Sequence, residues 1–190
     1  NYPHTPDSAN YYYSTLYRIP YSDTDENGCS IYGRSDDKII RQHYQIGEYF
    51  LKRTGLPKGS KIIDIGCAEG NTCKYLEREG YSVYGIEVSI PMTNYAKNVL
   101  ELENVTCGTY SVDSYPESFF DGIITHHVAE HVVDINNFFE SLSKHLKKGG
   151  FLLLQVPCLD NIKSDDHRNH ILQGGHIYGF SEKFLRTIIE

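Results

Sequence analysis

The chain alternates short apolar segments with amphipathic ones, and this alternation restricts its fold more than any other feature of the sequence. Strand-like apolar segments are predicted at residues 61–65, 82–87, 104–107, 121–125 and 151–156. Helical periodicity is found at residues 37–54, 70–79, 90–101, 135–147 and from 182 onwards. Strands that alternate with helices in this way form a parallel sheet with helices on both of its faces. We therefore expect a doubly wound α/β fold whose last strand is fully buried.

Polar residues and glycines mark several ends of these elements. Ser89, Asp134 and Ser181 stand where N-terminal helix caps are expected, because a short polar side chain can accept a hydrogen bond from the first turn. Gly55 is expected to close the first helix, and the pair at 149–150 to end the helix that begins at residue 135.

The first 36 residues differ from the rest of the chain, since they are rich in Tyr, Ser, Asp and Asn and show little periodicity. We expect residues 1–36 to form an N-terminal extension and residues 37–190 to form one domain. The tyrosines either cover a ligand site as a lid, with Tyr32 and Arg34 as the leading candidates, or pack against the domain. Because the chain begins at Asn1 and ends within a predicted helix, we interpret it as part of a longer polypeptide.

The loop after the first predicted strand carries two glycines. Asp64 lies near the end of that strand, and Gly66 and Gly70 follow with three residues between them. Glycines at these positions let the backbone turn tightly and pass close to a ligand. A dinucleotide site would need G-x-G-x-x-G, but the middle position is Ala68, and Glu69 would repel a pyrophosphate. A nucleoside that carries an amino acid instead of phosphates fits better, with Asp64 holding its amino group through the loop.

Glu87 ends the second predicted strand, seventeen residues after Gly70. Ligands of open α/β sheets bind at the carboxyl ends of the strands, and a carboxylate there can accept hydrogen bonds from both hydroxyls of a ribose. Taken alone, Glu87 is better explained as a solvated acid at a strand end. Together with the glycine loop it indicates a nucleoside site.

A family resemblance rests on five segments: IIDIGCAEGN (62–71), YGIEVS (84–89), FDGIITHHVAEHV (120–132), LKKGGFLLLQVP (146–157) and HIYGFSEKFL (176–185). They resemble, in order, motif I, the second-strand acidic motif, the fourth-strand segment, the helix-to-fifth-strand segment and the stretch after strand five of the class I S-adenosylmethionine (SAM)-dependent methyltransferases. The branch is the small-molecule one, which includes ubiquinone-type and sugar methyltransferases. The resemblance implies a Rossmann-like, mostly parallel sheet that binds SAM and releases S-adenosylhomocysteine (SAH). We expect the family's usual C-terminal hairpin to be absent from this chain.

The resemblance also implies a set of cofactor-binding residues: Asp64, Gly66, Cys67, Ala68, Gly70, Glu87, Val88, Thr109, Tyr110, Asp113 and His126. The family often has an acidic residue after the third strand, where it binds the adenine amino group, but Thr109 stands there in this chain. Adenine is therefore expected to contact backbone groups near Thr109 and Tyr110, or to be bound by Asp113.

Histidines and acids cluster after the fourth and fifth predicted strands, where the methyl acceptor is expected. We predict that His131 and His176 are catalytic and that one of them removes the acceptor's proton. Alternatively, His127, Glu130 and His131 only shape this loop. With His176 they also resemble the ligand set of metal-dependent small-RNA 2′-O-methyltransferases, although His127 replaces a glutamate of that family, and we expect no bound metal.

Charge and cysteine content restrict the partners and the compartment. The formal net charge is −7 without a stripe of Lys and Arg, which disfavours nucleic acid as a substrate. No apolar run is long enough to cross a bilayer, and residues 1–30 lack the pattern of a signal peptide. Five cysteines without a C-x-x-C motif favour reduced thiols in the cytoplasm.

These observations predict an enzyme that transfers a methyl group from SAM to a small polar acceptor, with a hydroxyl oxygen of a sugar or another metabolite as the favoured target. A metal-assisted RNA 2′-O-methyltransferase is one alternative. A non-catalytic SAM-binding module of a larger protein is the other.

Overall fold

The computed structural model describes residues 23–29, 37–165, 168–169 and 175–189. Its elements are α1 (Asp37–Thr54), β1 (Lys61–Ile65), α2 (Asn71–Arg78), β2 (Ser82–Glu87), α3 (Ile90–Asn98), β3 (Val105–Cys107), β4 (Phe120–His126), α4 (Ile135–His145), β5 (Leu146–Gln155) and α5 (Glu182–Ile189). Short 3-10 turns follow β4 (Ala129–His131) and β5 (Leu159–Asn161). Every predicted helix and strand is therefore found in the described residues, with ends that differ by a few positions.

The five strands form one parallel sheet in the order β3-β2-β1-β4-β5. The chain adds strands in one direction from β1 to β3 and in the other direction from β4 to β5. The order therefore reverses between β1 and β4, and the carboxyl ends of these two strands are where such sheets bind ligands. The predicted doubly wound α/β fold is confirmed.

Two apolar clusters cover the two faces of the sheet, because successive residues of a strand point in opposite directions. Ile62 packs in the cluster that contains Phe50 of α1 and Leu76 of α2. Its neighbour Ile63 packs in the cluster that contains Phe138 of α4. The loop between β1 and α2 thus sits on a sheet that is packed on both faces.

A glycine in β4 sets the distance between α1 and the sheet. A Cβ atom at Gly122 would lie 2.6 Å from Phe50 Cζ and 3.2 Å from Leu56 Cδ1. The missing side chain therefore makes the space that the Phe50 ring fills, and the exposed fraction of Phe50 is 2%.

The junction of α4 and β5 differs from the prediction. The helix ends at His145, and Leu146 already pairs with Phe120 of β4. The glycines at 149–150 do not end the helix; they lie in a bulge between the Phe120–Leu146 and Gly122–Phe151 pairs. The expected full burial of the last strand is also wrong: β5 is the edge strand of the described sheet, and Phe151 is 40% exposed.

Two of the three predicted helix caps are confirmed. The Asn137 N–H donates to Asp134 Oδ1 (3.0 Å) and the Phe184 N–H donates to Ser181 Oγ (3.2 Å). Ser89 occupies the predicted cap position of α3, but its side chain makes no cap hydrogen bond. No helix in the described part of the chain is both long and apolar enough to span a membrane.

Candidate cofactor and acceptor site

The loop between β1 and α2 turns through left-handed backbone conformations. Gly66 and Gly70 have φ angles of +74° and +81°, and Ala68 between them has +48°. A left-handed conformation costs a residue with a Cβ atom about 1–2 kcal/mol, so Ala68 holds a strained position. The amides of Gly66 and Cys67 donate to the Ile86 carbonyl of β2 (2.8 and 3.2 Å), which fixes the loop against the neighbouring strand.

Both glycines are also required by close packing. A Cβ atom at Gly66 would lie 2.4 Å from Val128 Cγ2, and one at Gly70 would lie 2.7 Å from Leu102 Cδ1. The tight turn that the spacing predicts is confirmed. The contact with Val128 places the segment after β4 directly against the glycine loop.

Glu87 is at the end of β2, as predicted, and is buried (3% exposed). The Ala68 N–H donates to its Oε2 (3.1 Å), and the Ser89 N–H donates to its Oε1 (2.9 Å). The carboxylate therefore stabilises the glycine loop itself, which excludes the interpretation of Glu87 as a solvated surface acid. The neighbouring Glu69 of the loop is buried as well (2% exposed).

Asp64 lies in β1 near its carboxyl end and is 5% exposed. Burial, and secondly the charge of Glu87, raise the pKa of Asp64 to about 8, although a hydrogen bond with Thr72 acts in the opposite direction. Of these two carboxyl groups, that of Asp64 is therefore mostly protonated at neutral pH in the ligand-free protein. A cationic group bound beside them would restore the charge of Asp64.

Two thiols, that of Cys67 in the loop and that of Cys73 in α2, lie next to each other against β2. A Cβ atom at Gly85 would lie 2.9 Å from Cys67 Sγ and 3.3 Å from Cys73 Sγ, so β2 leaves room for both. The hydrogen bond between the thiols, together with burial, raises the pKa of Cys67 well above its usual range. Val88 follows Glu87, is half-buried, and accepts a hydrogen bond from the Cys107 thiol at its carbonyl (3.8 Å).

The residues predicted to contact adenine follow β3. Thr109 and Asp113 are exposed. Tyr110 is buried, its hydroxyl lies 2.7 Å from His145 Nδ1, and burial raises its pKa. The Tyr110 side chain is thus part of the packing against α4, and only its backbone groups remain for a ligand.

Histidines occupy the carboxyl end of β4. Burial lowers the pKa of His126 to about 4, with smaller contributions from His127 and His43, so its ring is neutral at physiological pH. His127 is exposed, has a φ of +56°, and lies with its Nδ1 3.0 Å from Oε1 of the buried Glu130. Its backbone N–H donates to the Gln155 carbonyl of β5 (2.9 Å).

The structure brings the predicted pair His131 and His176 together. Their ring centroids are 4.8 Å apart, and His131 Nδ1 lies 2.8 Å from the Gly175 carbonyl. Ligand atoms of Glu130, His131 and His176 lie within 4.8 Å of one another, which is a spacing that a metal ion could bridge. His167, His170, Tyr32 and Arg34, along with the tyrosines at 11, 12, 13, 17 and 21, lie outside the described residues.

Sequence reasoning missed His43 of α1, which contributes to the electrostatics of His126. Burial lowers the pKa of His43, and its carbonyl accepts a hydrogen bond from the Thr72 hydroxyl (3.2 Å). His43 is four and seven residues before the buried Gly47 and Phe50, so helical periodicity places all three on the inner face of α1. That spacing could have identified it.

Comparisons with known proteins agree with this geometry. A family model described as a methyltransferase domain matches residues 39–190. Phosphoethanolamine N-methyltransferase 1 of Zea mays is 32% identical over 136 residues, which are 67% of this chain and 26% of that protein. The ubiquinone biosynthesis O-methyltransferase of Bartonella tribocorum is 31% identical over 99 residues, 50% of this chain and 40% of that protein.

Among solved structures, phosphoethanolamine N-methyltransferase 2 of Haemonchus contortus, in complex with SAM, superimposes with a TM-score of 0.62 at 21% identity. The match covers 82% of this chain and 41% of that one, and it shows the fold alone. The chain thus spans about a quarter of the length of the phosphoethanolamine enzyme of Zea mays.

Proposed function

This chain belongs to the methyltransferase domain family, and we propose that it transfers a methyl group from SAM to a hydroxyl oxygen of a small polar metabolite, such as a sugar. The observation that carries the proposal is the glycine loop at the switch point, which follows the buried Asp64 and is fixed to the buried carboxylate of Glu87. The resemblance to the class I SAM-dependent methyltransferases in the small-molecule branch is confirmed by the family match together with the phosphoethanolamine and ubiquinone-biosynthesis relatives.

The cofactor is assigned along the carboxyl edge of the sheet. Asp64 acts on the amino group of the methionine part, and Glu87 accepts hydrogen bonds from the ribose. Each carboxylate oxygen has more than one acceptor site, so Glu87 can bind the ribose while it retains the loop amides. The remaining residues assigned to the cofactor are Gly66, Cys67, Ala68, Gly70, Val88, Thr109, Tyr110, Asp113 and His126.

The acceptor is assigned to the segments after β4 and β5. The contact of Val128 with Gly66 supports this placement, because it brings the first segment against the loop that holds the sulfonium end of SAM. His131 and His176 lie next to each other there, and one of them removes the proton of the acceptor hydroxyl as it is aligned with the methyl group. The net charge of −7 supports a small uncharged acceptor over a nucleic acid.

Methyl transfer assisted by a metal, as in RNA 2′-O-methylation, is a second candidate. It is favoured by the spacing of Glu130, His131 and His176. In addition, Glu130 Oε2 is buried and has no hydrogen-bond partner among the described residues. The five cysteines are free thiols, which supports a cytoplasmic location for either activity.

Calorimetric titration and a turnover screen test the function. SAH should bind with one site per chain, and NAD should bind far more weakly because Glu69 and Ala68 replace the features of a pyrophosphate loop. SAH release should then be measured with free sugars, catechol, phosphoethanolamine and a small RNA, alongside elemental analysis of the protein. NAD binding tighter than that of SAH would refute the cofactor. Turnover of phosphoethanolamine alone would refute the hydroxyl acceptor, and stoichiometric metal with RNA turnover would establish the second candidate.

A further inference from the structure

A buried histidine of α4 lies outside the residues assigned to the cofactor and the acceptor. His145 is the last residue of α4, and its side chain is fully buried (0% exposed). Both of its ring nitrogens have partners in the segment that follows β3: Nδ1 lies 2.7 Å from the Tyr110 hydroxyl, and Nε2 lies 3.1 Å from the Val112 carbonyl. One ring therefore bridges two positions of residues 108–114, called here the adenine segment because the base of the cofactor is assigned to it.

The two contacts define which nitrogen of His145 carries the proton. The Val112 carbonyl can only accept, so Nε2 donates to it and Nδ1 of the neutral ring keeps its lone pair. The Tyr110 hydroxyl, which also lies 3.2 Å from the Ser141 carbonyl, has one proton and donates it to the nearer acceptor, Nδ1. Burial lowers the pKa of His145, which favours the neutral ring. A single tautomer thus satisfies both contacts.

The adenine segment is attached to its surroundings at two places. At its start, the Gly108 N–H donates to the carbonyl of Glu87 (2.9 Å), the residue assigned to the ribose. Further along, the Val112 carbonyl accepts a hydrogen bond from Lys144 Nζ (3.0 Å) as well as the one from the neighbouring His145. The segment is therefore fixed to the carboxyl edge of the sheet at one end and to α4 at the other.

The contacts with His145 determine which groups of the segment face outwards. Tyr110 is 8% exposed, and its ring packs edge-on against the His145 ring, with 5.3 Å between the centroids. Thr109 before it and Asp113 after Val112 are exposed. Because the Tyr110 side chain is held on α4, the base is left with the backbone near Thr109 and the side chain of Asp113. A displaced His145 ring would move these groups.

The other parts of the cofactor are assigned to other elements. Asp64 of β1 is assigned to the amino group and Glu87 of β2 to the ribose, and these two strands pair with each other in the sheet. Loss of the His145 ring should therefore disturb the contacts with adenine and leave those with the amino-acid end intact. This difference separates a positioning role from a general loss of stability.

We propose that His145 is a positioning residue for the adenine of the cofactor: its ring joins Tyr110 and Val112 to α4 and so holds the adenine segment in the conformation that recognises the base. The inference rests on the proposed SAM site, and in particular on the assignment of the base to the segment after β3. His145 acts through this segment and is not a catalytic residue.

The first test examines the ring without any ligand. In two-dimensional ¹⁵N spectra of the full chain, with the His145 signals identified by their loss in His145→Leu, the ring should be neutral with its proton on Nε2. Tyr110→Phe removes the hydroxyl and should shift the Nδ1 signal while the proton stays on Nε2. A proton on Nδ1 in the parent protein would overturn the proposal, because Nε2 could then not donate to the Val112 carbonyl.

The second test compares ligands that each differ from SAH in one part. S-inosylhomocysteine has an oxo group in place of the adenine amino group, and 5′-methylthioadenosine lacks the amino acid. Calorimetry of the parent protein should give tighter binding of SAH than of either. In His145→Leu the preference for SAH over S-inosylhomocysteine should fall by about 3- to 10-fold, the contribution of one neutral hydrogen bond. The preference for SAH over 5′-methylthioadenosine should not change.

Two further variants serve as controls. Phe50→Ala removes packing in the cluster on the other face of the sheet, so it should lower stability and leave both preferences as in the parent protein. His145→Gln retains an N–H group that can donate to the Val112 carbonyl, and it should recover part of the preference that His145→Leu loses.

Each failure has its own signature. An unchanged preference for SAH over S-inosylhomocysteine in His145→Leu would make His145 a packing residue and overturn the inference. Equal falls of both preferences in that variant, or the same fall in Phe50→Ala, would overturn it too, because the effect would then be one of stability. A parent protein that binds SAH and S-inosylhomocysteine equally would refute the assignment of the base, and the inference with it, but leave methyl transfer standing. A parent protein that binds none of the three ligands would refute the proposed function itself.

Discussion

At the scale of single residues, we expect the buried carboxyl group of Asp64 to couple the binding of the proposed cofactor to the release of a proton. With its pKa raised to about 8 by burial and by Glu87, Asp64 is mostly neutral at pH 7 in the ligand-free protein. The ammonium group of SAH favours the ionised form, so binding should release a proton. SAH affinity should then rise from about pH 6 to about pH 8, by up to about tenfold per unit. Calorimetry in two buffers of different ionisation enthalpy measures the release, and Asp64→Asn should abolish it. Equal affinities at both ends of this range would contradict the coupling.

Glu87 has a structural role besides the one assigned to it toward the ribose. Glu87→Ala removes the acceptors of the Ala68 and Ser89 amides, which should lower the free energy of unfolding by about 1–3 kcal/mol for each amide left unpaired in the interior. SAH affinity should fall in the same variant. Glu87→Gln keeps one acceptor oxygen and should retain more stability while still weakening SAH binding. Denaturant unfolding with parallel SAH titration measures both effects, and a Glu87→Ala protein as stable as the parent would refute the role in the loop.

The sequence located both carboxylates because each lies at or next to the end of an apolar strand. It could not show that the amides of the loop bind Glu87, since the Ala68 N–H is 19 residues away along the chain and reaches the carboxylate only in the folded sheet. The pairing of His127 with Glu130 was not predicted either, although the two residues are only three apart. A side-chain hydrogen bond depends on the backbone turn between them, here the 3-10 turn after β4.

At the scale of structural elements, the glycine loop needs glycine at position 66 for two reasons, the left-handed backbone and the close packing against Val128. A comparison with Gly55, which lies outside the loop, separates the two contributions to stability. Gly55 and Gly66 both have positive φ angles, +62° and +74°, but a Cβ atom at Gly55 would have nothing within 4 Å. Gly55→Ala should therefore cost only the backbone strain, about 1–2 kcal/mol. Gly66→Ala should cost about 1–3 kcal/mol more, because Val128 must move. Urea unfolding of the two variants measures the difference, and equal stabilities would show that Val128 moves away freely.

The end of a helix or strand could be predicted where a local hydrogen bond defines it. It could not be predicted where pairing with a distant strand of the sheet defines it. Asp134 begins α4 through its own side chain, so the cap could be identified from the sequence. The end of α4 is set instead by Leu146, which pairs with Phe120 of β4, a partner that no local pattern contains. The exposure of Phe151 follows from the edge position of β5 in the described sheet, which is a property of strand order.

At the scale of the whole molecule, Phe50 is one contact by which α1 packs against the sheet. Its ring fills the space above Gly122, so Phe50→Ala should lower the free energy of unfolding by about 3–5 kcal/mol. Tyr49→Ala, next to it on the same helix but 52% exposed, should change stability by less than about 0.5 kcal/mol. Thermal unfolding of both variants gives the comparison. Similar effects of the two substitutions would mean that α1 is held by other contacts.

Alkylation of Cys67, in the loop between β1 and α2, and of Cys73, in α2, is expected to report how often that loop opens. Cys67 and Cys73 are 3% and 0% exposed, whereas Cys107 is exposed. Alkylation requires an accessible thiolate, so iodoacetamide should label Cys107 at once and the buried pair only during local opening. Mass spectrometry of the labelled peptides then times the opening, with Cys107 as the internal reference. SAH should slow the labelling of the pair and leave that of Cys107 unchanged, and equal slowing of all three would mean that the loop does not open on its own.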